Sequence, residues 1–100
     1  MKTISLKLLT IIADEALQKR LVDDVKKLGA KGYTIEKAYG EGEHGGRISA
    51  WEGENIRLEL LISAELADKI LEKLARDYFE KYSIIAYLSD AQVLRGEKFL

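Results

Sequence analysis

A chain of 100 residues is one domain's worth, and 47% apolar with 33% charged residues is the balance of a globular protein rather than a disordered one. A net charge of −1 without a basic run argues against DNA, RNA or anionic lipid as a partner, and the absence of cysteine removes disulfides, thiolate metal sites and thiol catalysis. No apolar stretch is long enough to cross a bilayer and the first residues lack a signal peptide's apolar core, so a single cytoplasmic domain over 1–100 is expected.

Thr3 to Ile12 predicts a first strand, with Ile4, Leu6 and Leu8 on one face. Asp14 is suited to cap a helix, and Leu17, Leu21, Val25 and Leu28 recur at helical spacing. Gly29 is placed to end that helix. Gly32 to Ala38 predicts a second strand. Tyr39 to Glu54 then loses all periodicity. Asn55 to Ile62 resumes as a third strand, with Ile56, Leu58, Leu60 and Ile62 on one face. Ser63 caps a second helix whose inner face is Leu66, Ile70, Leu74 and Tyr78. Tyr82 to Ser89 predicts a fourth strand, followed by a short apolar run from Ala91 to Leu94 and a charged tail.

Two successive βαβ units with right-handed crossovers predict an α+β fold, the ferredoxin-like βαββαβ sandwich, with both helices on one face of an antiparallel sheet. The fourth strand is apolar on both faces: Ile84, Ala86 and Leu88 on one, Ile85 and Tyr87 on the other. The helices cover only one face, so another subunit, in preference to the chain's own tail folded over, is expected to cover the second.

The loop from Tyr39 to Glu54 is the candidate working part. Gly40, Gly42 and Gly45 match G-x-G-x-x-G in form, but the segment leads into a strand, not the helix that a dinucleotide fingerprint needs. Its glycines, Gly46 among them, still allow backbone N–H groups to close around an anion, and Arg47 adds a charge-assisted donor for phosphate or a small oxyanion. Trp51 is costly to leave in water and is expected to dock on something. His44 is the only histidine; a metal site would need it with Glu41, Glu43, Glu52 or Glu54. No nucleophile–base pair is visible, so no catalytic residue and no metal ligand is assigned. The third strand lacks the aromatic residues on which an RNA-recognition module stacks bases. Arg95 and Lys98 in the tail are placed to act as a second clamp on an anion held by the glycine loop.

Several segments together resemble, in order along the whole chain, the P-II signalling family. They are Gly29-Ala30-Lys31-Gly32-Tyr33-Thr34-Ile35, Gly40-Glu41-Gly42, Arg47-Ile48-Ser49, Asn55-Ile56-Arg57-Leu58-Glu59, Tyr78-Phe79-Glu80-Lys81-Tyr82 and Val93-Leu94-Arg95-Gly96-Glu97-Lys98-Phe99. They look most like its P-II-like branch tied to bicarbonate uptake and carboxysomes. The resemblance implies a homotrimer with adenine nucleotides in clefts between subunits, lined by the base of a long T-loop, a B-loop and the C-terminal tail. It implies nucleotide contacts at Thr34, Gly40, Glu41, Gly42, Arg47, Ser83, Ile84, Arg95 and Lys98. A bicarbonate-sized anion would sit near Gly45, Gly46 and Arg47. His44, Ile48 and Trp51 would meet a partner through the T-loop, which lies between strands 2 and 3.

The sequence also departs from the family. The loop is shorter than in typical members and has no tyrosine where nitrogen-sensing members are modified. Ser83-Ile84-Ile85 is apolar where the nitrogen-sensing branch has glycines and a lysine. Ligands with fewer phosphates, namely AMP, ADP or cyclic AMP, are therefore expected ahead of ATP. The expected function is a non-enzymatic sensor in which ligand orders loop 39–54 and so gates a partner, such as a membrane bicarbonate transporter, to which the protein would bind peripherally. Two alternatives share the fold: a metal-binding trimer of the copper-tolerance type and a small acylphosphatase-like hydrolase.

Overall fold

A computed structural model describes residues 1–40 and 54–100. Six main elements follow in order: β1 (Thr3–Asp14), α1 (Gln18–Leu28), β2 (Thr34–Ala38), β3 (Asn55–Ile62), α2 (Ala64–Asp77) and β4 (Ile85–Leu94), with 3₁₀ turns at Glu15–Leu17 and Gly96–Phe99. The strands form one sheet in the order β2-β3-β1-β4, and every pairing is antiparallel. This is the expected βαββαβ sandwich.

Local chemistry sets the helix ends. Asp14 accepts from the Ala16 N–H at 2.8 Å and caps the 3₁₀ turn that leads into α1, while Ser63 accepts from the Leu66 N–H at 3.1 Å and caps α2 itself. At the end of α1 the Ala30 N–H donates to the Val25 carbonyl and the Gly29 N–H to the Lys26 carbonyl, a Schellman closure. It needs φ of 123° at Gly29, where a Cβ would be strained.

The core lies between helices and sheet. Leu9, Ile11, Leu58, Leu60 and Ile62 pack beneath Leu21, Val25, Ile70 and Leu74, all at most 1% exposed. Each such side chain contributes roughly 1.5–3 kcal/mol by leaving water. Sheet alternation puts Ile4, Leu8, Ile12, Ile85, Tyr87 and Val93 on the opposite face.

Four strand boundaries differ from expectation: β1 runs on to Asp14 instead of ending at Ile12, β2 begins at Thr34 instead of Gly32, and both ends of β4 move. β4 begins at Ile85, not Tyr82, because Tyr82 and Lys81 donate their N–H groups back to the Tyr78 carbonyl and hold this stretch in a turn. It also continues without a break to Leu94. Pairing of β3 with β1 reaches only Lys7, so Thr3 to Leu6 have β4 alone as a partner, and Ala91 to Leu94 supply it.

Candidate functional site

The segment between β2 and β3 leaves from one end of the sheet. Ala38 pairs with Asn55, and Asn55 with Asp14, so its two ends stand beside the last residue of β1. An ion pair closes this base: the Lys37 ammonium lies 2.7 Å from the Glu54 carboxylate. Hydrogen bonding to Lys37 holds the Glu54 carboxyl below its usual range, and the same contact raises the Lys37 pKa. The Glu54 carbonyl also accepts from the Glu15 N–H at 2.7 Å, tying the base to the turn that starts α1. A Cβ at Gly40 would meet none of the described residues within 4 Å, so packing among them does not require glycine there.

The remaining candidate residues that lie within the described segments divide into two groups. Thr34 is exposed on β2 opposite Glu59, and Ser83 and Ile84 lie in the connection just before β4. Ile85 pairs with Ile12, which places Ser83 and Ile84 at the same end of the sheet as the loop base. The two are not equivalent: Ser83 is exposed, whereas Ile84 packs partly on the core. Arg95 and Lys98 stand at the other end, because Leu94 pairs with Thr3. From Thr3 to Asp14 is eleven steps along β1, a span of roughly 35 Å at about 3.3 Å per residue. One chain therefore does not bring its loop base and its tail cations together. Glu41, Gly42, His44, Gly45, Gly46, Arg47, Ile48 and Trp51 lie outside the described residues.

The sheet face away from the helices carries apolar side chains in the open. Ile85 is 55% and Tyr87 48% exposed, and Leu8, Ile12 and Val93 share their face. Such a surface is expensive to leave against water and marks an interface.

Sequence periodicity did not reveal a polar brace behind Ser83. The Tyr78 side chain is fully buried and its hydroxyl donates to Asp24 Oδ2 at 2.5 Å; burial and this bond push the hydroxyl pKa well above the usual phenol range. The Arg20 guanidinium lies 4.5 Å from the Tyr78 ring centroid, and its Nη1 donates to the Tyr82 hydroxyl at 3.2 Å. The i, i+4 spacing of Arg20 and Asp24 was a signal that both face one neighbour. The neighbour itself, Tyr78 with Tyr82, is set by tertiary packing. Among the described residues no three His, Asp or Glu side chains gather as a metal site.

The family model described as nitrogen regulatory protein P-II matches residues 6–98. A protein of Thermus thermophilus described as a PII-like signalling protein is 51% identical over all of both chains, with a TM-score of 0.87. The CPII protein of Thiomonas intermedia, solved with ADP and bicarbonate, is 32% identical, with 99% of this chain and 98% of that one covered and a TM-score of 0.85. The same protein solved with ADP, AMP and acetate gives 31% identity over the same shares and a TM-score of 0.87.

Proposed function

The chain belongs to the P-II family of nitrogen regulatory proteins, and from that premise we propose that it is a trimeric, non-enzymatic regulator that binds an adenine nucleotide at the seams between its copies. ADP or AMP is the favoured ligand, ahead of cyclic AMP or ATP, with bicarbonate bound beside it. The observation that carries this reading is the separation of the two anion-binding groups along β1. The loop base with Gly40 stands at the Asp14 end, and Arg95 with Lys98 at the Thr3 end. A molecule gripped by both must lie between two chains. The apolar face around Ile85 and Tyr87 supplies the means of assembly, since it is stable only when covered.

The ligand class rests on the relatives. CPII binds ADP, AMP and bicarbonate, and the present chain aligns with it along nearly its whole length. The preference for ligands of at most two phosphates rests on Ser83-Ile84-Ile85, which offers no cation for a third. Thr34, Gly40, Glu41, Gly42, Arg47 and Ser83, with the backbone at Ile84, form one side of the cleft; Arg95 and Lys98 of a neighbouring copy form the other. The anion subsite comprises Gly45, Gly46 and Arg47. Ligand occupancy is passed through loop 39–54, with His44, Ile48 and Trp51, to a membrane bicarbonate transporter, to which the protein docks from the cytoplasm. A ligand shifts such a loop only by its difference in affinity for the two loop states.

Calorimetry with AMP, ADP, ATP and cyclic AMP, with and without bicarbonate, tests the reading, alongside light scattering for mass. The expected result is a three-chain particle that binds ADP and loses about tenfold or more in affinity with Arg47→Ala, the scale of one charge-assisted hydrogen bond. A monomer, or no binding of any nucleotide at millimolar concentration, overturns it.

A further inference from the structure

The cations after β4 are not carried on a trailing end. Arg95 has left-handed backbone angles, φ 58° and ψ 34°, a conformation a non-glycine residue adopts only when its surroundings hold it there. The turn it makes lays Gly96 against the start of the chain. Gly96 is buried, and a Cβ built on it would stand 2.8 Å from Ile4 Cβ, closer than two carbons approach. The Lys98 N–H then donates to the Arg95 carbonyl at 3.2 Å and closes the 3₁₀ turn. Beneath it, Thr3 to Leu6 and Ala91 to Leu94 form a two-stranded ribbon, a unit only marginally stable on its own. Its other face is tied by side chains: Thr3 Oγ1 donates to Gln92 Oε1 at 2.9 Å, and Gln92 Nε2 to Ser5 Oγ at 2.7 Å.

We infer that Gly96 is a positioning residue for nucleotide binding: its lack of a side chain seats the closing turn on Ile4, and that seat presents Arg95 and Lys98 as a fixed pair of cations to the ligand of a neighbouring copy. This rests on the nucleotide reading above and extends it. Ile4 shares its face with Leu8, Ile12 and Tyr87, so the seat lies on the surface that assembly covers. Fixing the cations before ligand arrives removes the cost of ordering two long side chains and the backbone between them.

The test combines ADP calorimetry of wild type, Gly96→Ala, and Gly96→Ala combined with Ile4→Gly with nuclear Overhauser contacts from the Ile4 methyl groups to position 96 in the two proteins that keep Ile4. Wild type should show the contact. Gly96→Ala should lose it and weaken ADP about tenfold or more, the scale of a lost charge-assisted contact, while the amides of Leu9 and Leu60 stay protected from exchange. The double variant removes the atom that the new Cβ strikes and should recover most of the affinity. A contact that survives Gly96→Ala overturns the seat, and a lost contact with unchanged ADP affinity overturns the positioning role. Wild-type protein that binds no ADP overturns instead the nucleotide reading on which that role depends.

Discussion

The Lys37–Glu54 pair shows how a single contact sets a pH window at the base of the loop. Glu54 has its folded pKa lowered, so its contribution is complete above the ordinary value of 4.5 and is lost as pH falls through the lower folded value. Lys37 has its folded pKa raised, so the same contact holds below 10.5 and is lost as pH rises through the higher folded value. Glu54→Gln should therefore narrow the gap to wild type at both pH extremes and leave it widest between them. Denaturant unfolding of both proteins from about pH 3 to about pH 11, a range that brackets both ordinary values, measures this, and a gap independent of pH contradicts it. Arg95 is the residue where conformation and charge pull apart. Arg95→Gly relieves the left-handed strain, worth about 1 kcal/mol, while deleting a cation. The variant should unfold at slightly higher denaturant concentration and bind ADP more weakly; a variant less stable than wild type rules out the strain argument.

At the level of elements, the stretch between α2 and β4 is held by side chains rather than by the sheet. Tyr78 bonds Asp24 across the two helices and Arg20 bonds Tyr82, so α1 serves as the anchor for the residues just before Ser83. Tyr78→Phe keeps the ring and its packing but leaves the partly buried Asp24 without that donor. The expected loss is about 1–2 kcal/mol, read from equilibrium unfolding. Unchanged stability means the bond contributes nothing net. The ends of the helices were plain in the sequence because caps are local: Asp14, Gly29 and Ser63 each act on backbone within a few residues. The start of β4 was not plain. Tyr82 to Ile84 has strand-like composition, and only the turn bonds back to Tyr78 and the pairing limit at Ile12 exclude it from the sheet.

For the whole molecule, the decisive feature is an apolar sheet face that the described residues leave open around Ile85 and Tyr87. A charge placed there should block assembly while leaving the helix-side core intact. Tyr87→Glu is expected to keep the far-ultraviolet circular dichroism of the wild type and to run as a monomer by light scattering. A Tyr87→Glu trimer shows that this face is not the seam. The two-sided apolar character of β4, with Ile85 and Tyr87 on one side and Ala86 and Leu88 on the other, was readable as alternation and already implied a second cover.

Periodicity, caps and glycine placement by themselves determined the element order, which faces are apolar, and the ferredoxin-like class, because each depends on neighbours a few residues apart. The distance between the loop base and the tail cations, the Tyr78–Asp24 bond and the fit of Gly96 on Ile4 were decided only by the tertiary structure. These join residues from distant parts of the chain, or keep them apart, and the outcome depends on strand order and register across the whole sheet, which no local window contains.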